Sequence, residues 1–191
     1  MDRRKFIGRT VLLSGTSLLL SEGGALATVP ALPTHYVGIG RGGCNVIDYL
    51  KKTMPNVNIT KALGVDYDFE NGKIFLFGEP VSNALQPLVD SKSPLVIVYC
   101  LGGQFTIEGM LDFIKQLKQT ERIFKLILQF PFNFEGKNRN KRAVAVADQI
   151  SLISSFRSVH ASHHNVGKET LLYNFELLNK LMVNLMFAEV E

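Results

Sequence analysis

Leu95-Val96-Ile97-Val98-Tyr99 is an unbroken apolar run between Pro94 and the pair Gly102-Gly103. A strand with one wet face alternates polar and apolar residues. Its failure to alternate predicts a strand buried on both faces, as in a parallel sheet covered by helices above and below. Such a strand needs a sizeable core, and a chain of 191 residues that is 46% hydrophobic and 20% charged can supply one.

The flanking segments predict the same architecture. Tyr36, Val37 and Ile39 form a short apolar strand that runs into Gly40-Arg41-Gly42-Gly43-Cys44-Asn45, and residues 46–52 then carry apolar side chains at helical spacing until Pro55. The order is strand, glycine loop, helix. Residues 59–65 and 73–77 are predicted as further strands, separated by the turn residues Asn71-Gly72. Met110, Phe113, Ile114 and Leu117 follow the i, i+3, i+4, i+7 pattern of an amphipathic helix, and residues 123–130 form the next strand. An alanine-rich helix over 142–156, a short strand over 158–163 and a last helix with a broad apolar face, from Leu171 to Met186 in sequence, complete the chain. Strands alternating with helices predict an α/β fold, a doubly wound, mainly parallel sheet with helices on both faces.

Residues 1–27 have the layout of an export signal, with Arg3-Arg4-Lys5-Phe6-Ile7, an apolar stretch over 11–20 and the small-residue exit Ala25-Leu26-Ala27. The two arginines before a stretch diluted by Gly15 and hydroxyl residues resemble a twin-arginine signal. The stretch is about half the ~20 residues that cross a bilayer, which favours a cleaved signal over an anchor. The expectation is export to the periplasm, with a basic tail on a cytoplasmic protein as the alternative. Residues 28–35 then form a linker and 36–191 the folded domain. Arg3, Arg4, Lys5 and Arg9 stand against Asp2 and Glu22 in the signal, so its loss takes the formal charge from +4 to +2. A domain so near neutrality gives no argument for nucleic acid. The mature chain has no other segment long enough for a stable membrane span.

A glycine loop between a strand and a helix lets backbone N–H groups approach a phosphate at the helix's positive end. Gly40-Arg41-Gly42-Gly43 is such a loop, although a tight turn without ligand fits it equally, and it matches neither G-x-G-x-x-G nor the P-loop. Three segments taken in order are more specific. Val37-Gly38-Ile39-Gly40-Arg41-Gly42-Gly43-Cys44-Asn45 resembles I-G-V-G-G-G-G-x-N, Ala62-Leu63-Gly64-Val65-Asp66 resembles A-V-N-T-D, and Pro131-Phe132-Asn133-Phe134-Glu135-Gly136-Lys137-Asn138-Arg139 reproduces P-F-x-F-E-G-x-x-R in full. These are motifs of the nucleotide-binding domain of the FtsZ/tubulin family, which the stretch over about 36–187 resembles.

The resemblance implies a guanine nucleotide, GTP or GDP, as ligand. Carried over, the phosphate-side residues are Gly40, Gly42, Gly43 and Asn45 from the first loop and Gly102 and Gly103 from the fourth. Glu135 and Arg139 fall on the ribose and base side, or form an ion pair capping a helix. The departures from the family pattern are as informative. The fourth loop, G-G-G-T-G-T-G, is replaced by Gly102-Gly103-Gln104-Phe105-Thr106-Ile107-Glu108, whose bulky and acidic side chains crowd and repel a polyanion. Residues 79–94 are expected to lack most of the third loop and its helix. Leu171-Leu172-Tyr173-Asn174-Phe175 stands where L-L-D-A-F carries the family's base-reading aspartate, leaving Tyr173 or Asn174 to meet a base. The family's second domain, which completes a neighbour's active site, is expected to be absent.

Two functions follow from these matches and losses. One is a pseudo-GTPase that binds nucleotide with weak or no hydrolysis, with no catalytic residue assigned. The other is a non-enzymatic exported module that has lost its ligand and engages a protein partner, or a second copy, through the last helix. The alternative for that helix is complete burial on its own sheet. The resemblance also brings Cys44 and Cys100 into one pocket, where an oxidising compartment could join them. His160, His163 and His164 lack zinc-type spacing, and no metal is expected. Lys137, Arg139, Lys141 and Arg142 form a basic cluster that meets a phosphate, an acidic partner or solvent.

Overall fold

The structure, a computed structural model, describes residues 16–20, 26–30, 33–62, 65–68, 73–76, 81–103, 107–164 and 170–188. Arg3-Arg4 of the expected signal, part of the linker, Leu63-Gly64 of the second motif and Gln104-Phe105-Thr106 of the fourth loop lie outside the described residues. The chain divides into two units, Met1–Pro33 and Thr34–Glu191. In the first, β1 (Thr16–Leu20) pairs antiparallel with β2 (Leu26–Pro30).

The second unit runs β3 (His35–Ile39), α1 (Gly40–Thr53), β4 (Asn58–Ala62), β5 (Val65–Asp68), β6 (Lys73–Leu76), α2 (Val81–Asp90), β7 (Leu95–Cys100), α3 (Ile107–Gln119), β8 (Phe124–Phe130), α4 (Lys137–Ser151), β9 (Arg157–His160) and α5 (Leu171–Phe187). Five strands form one sheet in the order β4-β3-β7-β8-β9, and every neighbouring pair is parallel. The chain moves from β3 outward to β4 and later returns to β7 on the other side of β3. That reversal creates a topological switch point between β3 and β7, the place where open α/β sheets bind ligands.

β7 lies at the centre, and its apolar run is divided between two cores. Leu95, Ile97 and Tyr99 pack with Leu85 and Leu88 of α2, Met110 and Ile114 of α3, and Val146 and Ile150 of α4. Val96 and Val98 pack with Val46, Ile47 and Leu50 of α1 and Leu178 and Met182 of α5. Helices therefore cover both faces, as the sequence predicts.

Several boundaries differ from expectation; the helix expected over 142–156 ends at Ser151, and the strand expected over 158–163 spans Arg157–His160 and gives way to a 3-10 turn over Ala161–His164. The strand expected over 59–65 ends at Ala62, because its parallel partner β3 ends opposite it at Ile39 and turns into α1. Val65 instead begins β5, which pairs antiparallel with β6. The segment expected to have lost its helix forms α2 despite Pro87 in its interior. Leu85, Leu88 and Val89, at i, i+3 and i+4, are buried, and that apolar stripe offsets the hydrogen bond proline removes. α4 starts at Lys137, five residues before its expected start, just after Gly136 at φ 98°.

Backbone contact fixes α1 on the sheet. A Cβ at Gly43 would lie 2.5 Å from the Val98 carbonyl oxygen, and one at Gly38 would lie 2.6 Å from the Gly43 oxygen. Gly40, at φ 70°, turns the chain from β3 straight into the helix, so no separate glycine loop precedes it. At the other end of the fold, Lys125 Nζ donates to the carbonyls of Leu185, Met186 and Ala188 at 3.5, 3.1 and 2.6 Å, tying down the C-terminus of α5. A cation there also suits the negative end of the helix dipole.

Gly43→Ala is expected to cost about 3 kcal/mol in urea unfolding, because the clash is with backbone that cannot swing away. Gly103→Ala, whose added Cβ meets nothing within 4 Å, should stay within about 0.5 kcal/mol. Burial lowers the pKa of His35 and of His160, the latter also through His163. Both imidazoles are held neutral in the fold, so their contribution is full above pH 6.5, the model-peptide value, and is lost as pH falls below it. The urea midpoint should drop between pH 7.5 and pH 5, by less in His160→Phe, which keeps the ring stacked 4.2 Å from Phe130.

Candidate functional site

α1 begins at the switch point, and its first N–H groups have no intrahelical acceptors. The N-cap Ile39 provides no side-chain cap, and the first turn holds no acid. The positive end of a 14-residue helix is thus left uncapped by side chains, an arrangement that attracts an anion. Beside it opens a cleft of about 670 Å³, within the range of about 300–1,000 Å³ typical of small-molecule sites.

One wall is a stripe of α1, namely Gly42, Asn45, Tyr49 and Lys52, with Asp48 at its edge. The facing wall is a stripe of α5, made of Leu172, Phe175, Glu176 and Asn179. Cys100, Leu101, Gln129 and Pro131, at the ends of β7 and β8, form the floor, and Glu135 and Arg139 complete the rim. The helical spacing within each stripe explains why these residues share the cleft.

Glu135 and Arg139 support one another and the local backbone. Glu135 Oε1 accepts the Phe132 N–H at 2.8 Å, and Oε2 lies 3.0 Å from Arg139 Nε, one helical turn on. That buried Nε makes no well-directed hydrogen bond, so the contact is an ion pair by distance alone. The Arg139 side chain covers Gly102, where a Cβ would come within 2.6 Å of its Cγ. Gly102, at φ 94°, is also held through its carbonyl, which accepts from Arg142 Nε and Nη2 at 3.3 and 3.2 Å. Asn140 Nδ2 donates to the carbonyls of Phe132 and Gly136, joining the motif to α4. The buried Phe132 ring meets Phe175 edge-on at 5.5 Å and 87°, which orients the aromatic wall of the cleft.

Of the residues carried over from the family motifs, Gly42, Asn45, Glu135 and Arg139 come together on this cleft. Gly43 is buried against Val98, and Gly102 lies beneath Arg139, so close packing alone requires glycine at both. Gly40 makes the turn into α1, and Gly103 borders open space. Tyr173 and Asn174 do not line the cleft; Asn174 is buried and Tyr173 points elsewhere on the exposed start of α5. The groups that do face it, Phe175, Glu176 and Asn179, follow a helical stripe that the motif alignment does not single out.

Both thiols are free. Cys44 Sγ donates to the Gly38 carbonyl on β3 at 3.4 Å, and Cys100 Sγ to Gln129 Oε1 on β8 at 3.3 Å, so each faces a different strand. Burial pushes the Cys44 thiol up to about 11 and the Cys100 thiol up to about 12, leaving both protonated and weakly nucleophilic near neutrality. His160 stacks between Phe130 and His163, at 4.2 and 5.0 Å, and no metal-ligating cluster of three or more side chains exists among the described residues. No helix among them is long and apolar enough to cross a membrane.

No protein-family model matches the chain, and no curated protein matches it in sequence. Solved structures do match it in three dimensions. The empty FtsZ dimer of M. jannaschii superposes with a TM-score of 0.61 at 16% identity, over 84% of this chain and 58% of that one. GDP-bound monomeric CetZ1 from Haloferax volcanii gives 0.58 at 13% identity, over 84% and 62%. TubZ of Clostridium botulinum phage c-st gives 0.57 at 14% identity, over 80% and 60%. The chain thus spans about six-tenths of the length of these structures. At such low identity the likeness defines architecture, and the domain has an FtsZ/tubulin-like α/β fold.

Proposed function

We propose that this domain binds a guanine nucleotide, GTP or GDP, in the cleft between α1 and α5 and hydrolyses it weakly or not at all. The observation that carries the reading is the convergence of Gly42, Asn45, Glu135 and Arg139, from two motifs some ninety residues apart, beside the uncapped start of α1. The fold adds support, since the CetZ1 relative is GDP-bound. Weak turnover is favoured by Phe105, Ile107 and Glu108 standing where the family's fourth loop has small and hydroxyl residues. Lys52 and Arg139 are opposed in the cleft by Asp48, Glu135 and Glu176, so cations contribute little net attraction for a polyphosphate. Backbone N–H groups are the principal anion-binding feature.

A second reading is an interaction module acting through α5, on a protein partner or a second copy. It is favoured by Leu171, Leu172, Tyr173 and Phe175 at the start of that helix, exposed at 51%, 77%, 47% and 41%. The remainder of the helix is committed to the domain, with Leu178, Met182, Val183 and Met186 buried on the sheet. Among the described residues, the exposed apolar side chains of α5 cluster at its first turns, next to the cleft, with Phe187 exposed at its far end. We also propose that Arg3 and Arg4 direct export by the twin-arginine route.

Calorimetric titration with GDP and GTP, alongside a phosphate-release assay, tests the first reading. Binding of both without release above background is expected, with Asn45→Ala weakening it about tenfold. Absence of binding up to millimolar nucleotide would leave the α5 surface as the function. For export, a Arg3→Lys/Arg4→Lys double variant should remain in the cytoplasm while the unaltered chain is recovered from the periplasm; equal partition of the two would exclude the route.

A further inference from the structure

We infer that Gln129 is a ligand-binding residue on the floor of the cleft, its amide N–H groups donating to an oxygen of a phosphate lodged against the start of α1. This rests on the reading of the cleft as a nucleotide site, which supplies the phosphate. β8 is apolar and buried through Leu126, Ile127 and Leu128, and Gln129 then breaks the run. Its side chain follows Ile127 by two residues and so lies on the same face of the sheet, the one that α1 and α5 cover. There it is only 8% exposed, an amide where burial on both faces favours an apolar side chain.

The two ends of that amide are used differently. Oε1 accepts from Cys100 Sγ at 3.3 Å, between residues that are register partners on β7 and β8. Burial keeps the thiol protonated, so it donates. Nε2 has no hydrogen-bond partner among the described residues, and with Oε1 turned to the thiol it is the end left for the cleft that Gln129 lines. A buried donor left unmatched is costly, and an acceptor entering the cleft removes that cost. The same sulfur touches the helix, lying 2.6 Å from where a Cβ on Gly42 would stand. One sulfur atom therefore separates the amide from the first turn of α1, whose uncapped N–H groups attract the same kind of ligand. Both features call for an oxyanion. Cys100 is the positioning residue, because without its S–H the amide is free to rotate and present Oε1, which an anion avoids.

The test is calorimetry of the full chain with GDP and with inorganic pyrophosphate, for the unaltered protein and for Gln129→Met, Cys100→Ala and Cys100→Ser. Gln129→Met keeps the volume and removes the donor. It should weaken both ligands by about tenfold or more, the scale of a hydrogen bond to a charged group, while the thermal midpoint of the free protein stays level or rises. Cys100→Ala should weaken both by about threefold, and Cys100→Ser, which keeps a donor, should restore the affinity to within about twofold. Unchanged affinities in Gln129→Met, or a lowered midpoint of the free protein, would overturn the assignment while leaving the nucleotide site standing. Pyrophosphate bound as tightly as GDP, with the loss in Gln129→Met, would support the phosphate contact and remove the nucleotide reading. Failure of the unaltered protein to bind either ligand would remove both.

Discussion

The contact between Gly43 and the Val98 carbonyl governs where everything at the ligand edge of this domain can be. With 2.5 Å available for an added Cβ, the first turn of α1 lies directly on β7. That proximity sets the helix's positive end level with the ends of β3 and β7 and brings Gly42 over Cys100, whose Cβ an added methyl would meet at 2.5 Å. A side chain at any of these positions would lift the helix and open the floor of the cleft. Packing and a candidate binding role therefore make the same demand on the same glycines, and the presence of glycine alone cannot separate them.

The strand β7 was legible from sequence because burial on both faces leaves a distinct mark, an apolar run without alternation. Helices α1, α3 and α5 were legible through their 3.6-residue periodicity, and the Glu135 to Arg139 motif through its full match to a family pattern. What sequence concealed has identifiable causes. Val65 has strand character but no partner once β3 turns away at Gly40, so pairing, not propensity, decides its sheet. Pro87 reads as a helix breaker, yet the stripe Leu85, Leu88 and Val89 finds a core to bury in.

The candidate site divides in the same way. Residues on the loop motifs could be named in advance, but the cleft walls are helix faces, and their orientation depends on how α1 and α5 seat on the sheet. Alignment to the family's L-L-D-A-F directs attention to Tyr173 and Asn174, whereas helical rotation turns Phe175, Glu176 and Asn179 toward the cleft. A difference of two residues on a helix is a rotation of about 200°. Tertiary geometry thus reassigns the chemistry without changing a residue.

The tether at the far end of α5 has a consequence for which amino acid can occupy position 125. A tetrahedral ammonium projects three N–H bonds as a tripod, matching carbonyls that fan around the end of a helix. A guanidinium spreads its donors in one plane and cannot reproduce that fan. With Leu178, Met182, Val183 and Met186 buried on the sheet, these three acceptors hold the C-terminal end of α5 in place. Lys125, at the opposite ends of the strands from the cleft, is in this sense a part of the cleft's alignment.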